Sequence, residues 1–367
     1  MKCPAAIADG AGRFEIDDID VGSPLADEVL VEIKAAGICH TDHASLSWQR
    51  PLVMGHEGAG VVREVGEGLM HVRPGDRVVL NWSIPCGECY QCERGNTVLC
   101  EFSQPAHVLQ RSLGHAHPQG TTWHGEPIDR SFNIGTLSSL ALVRKEAVTP
   151  LPAAVPFPSA CIVGCGVMTG FGSAVNIARV QKGESIVVLG CGAVGLNAIQ
   201  GARLAGAAKI IGVDLHSAAL ERAKEFGATH VIEASPEDTE LREVMQRVRQ
   251  LTEGRGADYA IEATSVPSLA FTPLLMIRDG GIALQVSGFT DPLIVDMSWF
   301  MWNKRYMTPL YGGCVPSRDF QRVFDHYVRG ELRLDELVSQ TYPLENLAEA
   351  MDDMLSGRNP KGVIVFP

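Results

Sequence analysis

Two patterns of apolar and polar positions divide the chain at about residue 150. Before it, apolar residues recur in short runs bounded by turn residues. Examples are Val29-Leu-Val-Glu-Ile33, Gly60-Val-Val-Arg-Glu-Val65, and Arg77-Val-Val-Leu80 directly after the turn Arg73-Pro-Gly-Asp76. Such runs predict strands of a barrel-like β domain, because successive side chains on a strand face opposite ways. Beyond Pro150 the prolines at 152, 156 and 158 break regular structure, and the pattern changes. The apolar runs Ser185–Leu189, Ile210–Val213, Ala257–Ile261 and Gly281–Val286 predict buried strands. Leu196–Leu204, Ala218–Phe226 and Glu240–Glu253 predict helices between them. Strands alternating with helices predict an α/β doubly wound parallel sheet. After about Tyr311 come two amphipathic helical stretches, Arg318–Arg329 and Leu344–Ser356, and a last strand, Gly362–Phe366. That strand is expected to complete the first domain.

Length and composition narrow the class. The chain has 367 residues, enough for one large or two medium domains, and its 46% hydrophobic and 20% charged residues describe an ordinary folded protein. Net charge is −12 with no Lys/Arg-rich run, so neither nucleic acid nor an anionic membrane is an expected partner. The first twenty residues carry several acids and no continuous apolar run, and no stretch of about 18 apolar residues occurs. A cytoplasmic protein with reduced thiols is expected.

Against that background, the cysteines carry chemistry. Cys86, Cys89, Cys92 and Cys100 fall within fifteen residues at C-x2-C-x2-C-x7-C spacing. Zn2+ takes four thiolates in a closed tetrahedron, whereas bridges between thiols this close in the chain would be strained. A closed site leaves no position for substrate, so this metal is expected to hold a loop together. Cys3, Cys161, Cys191 and Cys314 read as small apolar fillers.

The run Gly190-Cys-Gly192-Ala-Val-Gly195 follows one expected strand and opens an expected helix. That context gives a GxGxxG turn its meaning: a tight turn at Gly190, close approach to a pyrophosphate at Gly192, close helix packing at Gly195. Asp214 ends the next strand, nineteen residues after Gly195, where a carboxylate accepts from ribose hydroxyls and repels a 2′-phosphate. The following Leu215-His-Ser-Ala-Ala offers no Arg or Lys to such a phosphate, so NAD is favoured over NADP. Cys39, His56 and Cys165 together form a soft ligand set suited to an open zinc site. Asp42 is placed to fix the His56 ring. Glu57 is either an alternative ligand or an electrostatic neighbour.

These segments resemble the zinc-dependent medium-chain alcohol dehydrogenase family over nearly the whole chain. The matching text is GICHTD at 37–42, GHEGAGVV at 55–62, the four-Cys segment, GCGVMTGFGSAVN at 164–176, GCGAVG at 190–195 and GRNPKGVI at 357–364. The resemblance implies a GroES-like catalytic domain at residues 1–166 and 311–367, and a Rossmann NAD-binding domain at 167–310. It implies two Zn2+ per chain: a catalytic ion on Cys39, His56 and Cys165, and a structural one on Cys86, Cys89, Cys92 and Cys100. Thr41 falls on the hydroxyl that passes the alcohol proton outward, and His40 on a pyrophosphate contact. Thr169 and Val194 fall on residues that press the nicotinamide toward the metal, Lys361 on a basic phosphate contact, and Trp82 on an aromatic of the substrate pocket. The long segment between Cys100 and Pro150 resembles the dimeric branches, so a homodimer is expected, with a tetramer as the alternative.

Two positions depart from the family pattern. The relay histidine of some members would be Ala44, with His43 one residue off. The arginine of glutathione-dependent formaldehyde dehydrogenases is Gln104. The expected reaction is reversible hydride transfer between a primary alcohol and NAD. Trp48, Trp82, Phe102, Met301 and Trp302 are candidates for a pocket that takes an aromatic or medium-length chain. A thiol-adduct formaldehyde dehydrogenase is the alternative. A non-catalytic protein on the same fold is disfavoured by the complete Cys39/His56/Cys165 set.

Overall fold

The computed structural model describes residues 1–102, 120–288 and 292–367. It divides into two compact units, Met1–Cys165 with Val315–Pro367, and Gly166–Cys314.

The first unit is built on two mixed sheets. Its centre is the strand Glu28–Gly37, whose Val29, Leu30, Val31 and Ile33 are fully buried. That strand pairs antiparallel with Gly58–Val65 on one side and with Gly362–Val365 on the other, so the end of the chain closes a sheet begun near its start. Leu140–Arg144 pairs with its first half. Arg77–Leu80 follows Gly58–Val65 and is itself covered by Val148–Pro150. A second sheet is seeded by the hairpin Lys2–Ala8 and Phe14–Val21. Its core is Ala5, Ile7, Ile19 and Val21 packed on Leu30, Val53 and Leu142.

The second unit holds six parallel strands in the order His230–Glu233, Lys209–Asp214, Ser185–Leu189, Ala257–Glu262, Ile277–Gln285, Arg305–Met307. The chain therefore winds outward in both directions from Ser185–Leu189, the doubly wound arrangement. Strands covered on both faces need uninterrupted apolar runs. Val187, Val188, Ile210, Ile211, Ala260 and Ile261 are accordingly all fully buried. The first helix after the central strand, Ala193–Leu204, buries Leu196, Ala198, Ile199 and Ala202. Helices also stand at Ser217–Phe226 and Arg242–Leu251, close to the expected ranges. Among the described residues no single helix is long and apolar enough to cross a membrane.

Candidate metal centres and nucleotide loop

The strand Glu28–Gly37 ends one residue before Ile38, and Cys39 then precedes the short helix His40–Ser45. Asp42 organises this turn. One carboxylate oxygen accepts the Cys39 backbone N–H at 2.9 Å, and the other lies 2.9 Å from His56 Nδ1. Asp42 is fully buried and His56 is 1% exposed, so one carboxylate positions two separate segments of the site. Its bond to Nδ1 leaves Nε2 as the free coordinating nitrogen of His56.

Cys165 follows the helical turns Phe157–Cys161 and Ile162–Gly164. One ligand atom from each of Cys39, His56, Glu57 and Cys165 lies within 4.8 Å of all the others. His56 Nε2 and Glu57 Oε2 are buried polar atoms with no hydrogen-bond partner. Such atoms are costly in an interior unless something takes their lone pairs.

The electrostatics agree. The Cys39 thiol is held well below its ordinary range, first by a hydrogen bond with Cys165 and then, against burial, by the His56 ring. Burial opposes charge on His56, yet Asp42 and Cys39 outweigh it and raise the ring's pKa well above the usual value. Burial pushes Glu57 up to about 7, a rise that Lys361 limits. A group of potential anions around one imidazole thus demands positive charge, which a divalent cation supplies as well as a proton does. Two thiolates, an imidazole and a nearby carboxylate suit Zn2+.

Glu57 needs room, and Gly37 provides it: a Cβ at Gly37 would collide with Glu57 Oε2. The other oxygen, Oε1, receives Lys361 Nζ at 2.7 Å, and Nζ also donates to Ile38 O at 2.8 Å. Lys361 is 4% exposed. Lys361, expected to contact phosphate, is here paired with Glu57 inside the first unit. The ammonium is buried and committed to Glu57, because an unpaired carboxylate at that depth would be far more costly.

Thr41 is half-buried with Oγ1 3.7 Å from Cys39 Sγ, so its hydroxyl stands at the rim of the ligand group. His40 and His43 are exposed on the same helix. Among the described residues no hydrogen bond or ion pair ties His43 to the ligands, so the structure does not bring it in. Trp48 is half-buried and Trp82 buried. Both pack on Phe132, a residue that no sequence signal singled out. Its ring centroid lies 5.0 Å from those of His56 and Trp82 and 5.9 Å from that of Trp48. Phe102 is a further candidate. It packs against the four-Cys lobe. Met301 and Trp302 are exposed on the second unit, and Gln104 lies outside the described residues.

In that lobe the sulfurs of Cys86, Cys89, Cys92 and Cys100 also lie within 4.8 Å of one another, and no disulfide joins them. Cys86 and Cys92 Sγ are 4.0 Å apart, Cys89 and Cys100 Sγ 3.9 Å. A tetrahedron with Zn–S bonds of about 2.3 Å has edges of roughly 3.8 Å, so the lobe is shaped for the ion. Backbone amides of Glu88 and Cys89 point at Cys86 Sγ, and that of Cys86 at Cys100 Sγ. These donors favour the thiolate forms.

In the second unit Gly190 has φ 86°, and a Cβ there would sit 2.7 Å from Ala263 O. A Cβ at Gly195 would strike Gly190 O, whereas one at Gly192 meets nothing within 4 Å. The loop is therefore closed by contact at its ends and open at its middle, where the helix Ala193–Leu204 begins. Open space at a helix N-terminus, lined by backbone N–H groups, suits a pyrophosphate. Asp214 accepts the N–H of Cys191 at 2.8 Å and of His216 at 3.0 Å, which fixes its carboxylate beside the loop. Thr169 and Val194 are both half-buried; a Cβ at Gly170, next to Thr169 in the chain, would collide with Val194 O.

The chain is similar to known proteins over its whole length. Residues 25–153 match the alcohol dehydrogenase GroES-like domain, and residues 193–329 match the zinc-binding dehydrogenase domain. An NDMA-dependent alcohol dehydrogenase of Amycolatopsis methanolica is 35% identical, covering 100% of this chain and 99% of that protein. A probable S-(hydroxymethyl)glutathione dehydrogenase of Schizosaccharomyces pombe is 34% identical, covering 98% and 95%. Among solved structures, benzyl alcohol dehydrogenase from Acinetobacter calcoaceticus superposes with a TM-score of 0.89 at 27% identity over 100% of both chains. Two domain matches and full-length relatives accompany two four-donor clusters and a Gly-rich loop on the sheet's central strand, and on those grounds the chain belongs to the zinc-dependent medium-chain alcohol dehydrogenase family.

Proposed function

We propose that the protein oxidises primary alcohols, aromatic or of medium chain length, to aldehydes with NAD, reversibly, and that it carries two Zn2+ per chain. The observation that carries the reading is the convergence of Cys39, His56, Glu57 and Cys165 ligand atoms within 4.8 Å, with His56 Nε2 buried and unpartnered. In this reading residues 1–166 and 311–367 form the catalytic domain and 167–310 the NAD domain.

Cys39, His56 and Cys165 would hold a Zn2+, which would supply Lewis acidity to a substrate hydroxyl. The protein's own groups do the rest. Asp42 keeps His56 in the tautomer with Nε2 free. The Glu57–Lys361 pair sets the field behind the ligands without adding net charge. Thr41 Oγ1 takes the hydroxyl proton and releases it toward the exposed face of its helix, where His40 and His43 stand. Gly190, Gly192 and Gly195 seat the pyrophosphate, Asp214 the adenosine ribose, and Thr169 and Val194 the nicotinamide. Trp48 and Trp82 supply apolar surface for the alcohol's chain.

The S-(hydroxymethyl)glutathione dehydrogenase relative motivates a second reading, in which a thiol adduct of formaldehyde is the substrate. One experiment separates the two. The purified protein is assayed with NAD, NADP and an artificial hydride acceptor, against an alcohol panel and against formaldehyde with and without glutathione or other thiols. Thiol-independent oxidation of benzyl alcohol or a medium-chain primary alcohol with NAD is expected, with two Zn per chain by metal analysis. Turnover only with formaldehyde plus a thiol would replace the first reading by the second. A preference for NADP would overturn the role given to Asp214.

A further inference from the structure

Phe132 has the conformation of a residue held in place for a reason. Its backbone lies at φ 49°, ψ 29°, in the left-handed region that bulky side chains seldom adopt. The segment that carries it is pinned from both ends. Ser131 O accepts from Ile134 N at 3.0 Å and Gly135 N at 3.1 Å. Thr136 N donates to Gly55 O at 3.0 Å, and Thr136 Oγ1 to Glu57 O at 3.1 Å. Gly55 and Glu57 are the two neighbours of His56. One backbone bond and one side-chain bond from Thr136 therefore tie the Phe132 segment to the residues on either side of a candidate metal ligand.

The ring makes use of that placement. At 5.0 Å between centroids, with planes at 43° and 56°, it is in packed contact with both His56 and Trp82. Nothing the size of a methyl group fits between rings at that spacing. Resting on the reading that the alcohol oxygen is held at Cys39, His56 and Cys165, we infer that Phe132 is a specificity-determining residue. It fills the space beside His56 that a second substituent on the carbinol carbon would need, and so restricts the enzyme to primary alcohols.

The test is the ratio of kcat/KM for 1-phenylethanol to that for benzyl alcohol, two substrates that differ by one methyl on the carbinol carbon. It is measured on the zinc-loaded full chain with NAD, together with zinc content. Wild type should strongly prefer benzyl alcohol. Phe132→Ala should raise the ratio by about 10-fold or more, the usual worth of one methyl group in a pocket. Phe132→Leu should raise it less, and it decides the matter if Phe132→Ala does not fold. An unchanged ratio in a folded variant would overturn the inference, as would a wild type that oxidises both substrates equally well. A parallel fall for both substrates with loss of zinc would instead assign the ring to holding His56, and would overturn it too. A wild type inactive on every alcohol would remove the functional reading itself, and this inference with it; an active wild type with an unmoved ratio removes only this one.

Discussion

The two four-donor clusters differ in how they are made. The lobe draws four sulfurs from one segment, Cys86–Cys100, and its nearest stabilising donors are backbone amides of that same segment. The other cluster takes Cys39 from the end of a sheet strand, His56 and Glu57 from the approach to the next, and Cys165 from a helical turn more than a hundred residues away. It is held by side chains: Asp42 on two of its segments and Lys361 from the end of the chain. The lobe therefore depends on little beyond itself, and in the proposed reading a metal there would serve stability. The second cluster draws on segments spread through the first unit, and in the proposed reading a metal there would serve chemistry.

The sharpest break between them is a pair of ligand variants. Cys165→Ala should abolish turnover and remove one zinc per chain, while the melting temperature changes little. Cys92→Ser should also remove one zinc, and should lower the melting temperature by more than about 5 °C, since a structural zinc contributes several kcal/mol of folding free energy. Metal analysis and calorimetry on both variants check this. Equal melting losses would erase the distinction between the two centres.

The same contrast explains what was legible in the sequence. The lobe was readable because its donors are adjacent in the text, and the nucleotide loop because its three glycines, its preceding strand and Asp214 sit in one βαβ unit. Cys39, His56 and Cys165 could be grouped by the softness of their donors, and the family resemblance then gave the set its role, since no spacing rule links residue 39 to residue 165. The pairing of Glu57 with Lys361 was not legible, because 304 positions separate the two. Nothing in the text showed that Glu57 lay buried opposite Lys361. Neither the packing of Phe102 on the four-Cys lobe nor that of Phe132 on His56 was legible, for a related reason. An aromatic residue's partners are set by loop geometry, and the left-handed turn at Phe132 has no glycine to announce it. The hairpin Lys2–Ala8 and Phe14–Val21 went unmarked because acids occupy so much of its second strand.

Within the open cluster the next largest effect belongs to Thr41. Thr41→Ala should cut turnover by roughly 10²–10⁴, the usual worth of a positioned proton transfer, with both zinc ions retained. Thr41→Ser should keep most activity. His43→Ala should cost far less, because His43 is exposed and outside the ligand group. Near-normal turnover in Thr41→Ala would remove the hydroxyl from the mechanism.

Lys361 tests whether the buried ion pair belongs to the open centre alone. Lys361→Met strands the Glu57 carboxylate at full burial and should destabilise the protein by about 3–5 kcal/mol in denaturant unfolding. Adding Glu57→Gln should return part of that loss, because the orphaned charge is then gone. The lobe's zinc should be unaffected in both variants. If Lys361→Met unfolds like wild type, the pair contributes nothing and its burial needs another cause.

The smallest effect is expected at Asp42, which touches no metal in either reading. Its two oxygens serve two donors, the Cys39 N–H and the His56 Nδ1–H. Asp42→Ala frees both, so the ring of His56 can turn and the Cys39 turn loosens. Carboxylates that orient metal ligands in this way are usually worth 10–100-fold in metal affinity. Asp42→Asn should fall between wild type and alanine: an amide has one acceptor oxygen, so it can serve one donor but not both. Zinc competition with a chromogenic chelator should therefore show two classes of site. The weaker should shift by about 10–100-fold in Asp42→Ala and by less in Asp42→Asn. The tighter, at Cys86–Cys100, should not move in either, because no bond runs to it from Asp42. A shift of both classes together would mean that the two centres are energetically coupled, and that the lobe is not the self-contained site its local donors imply.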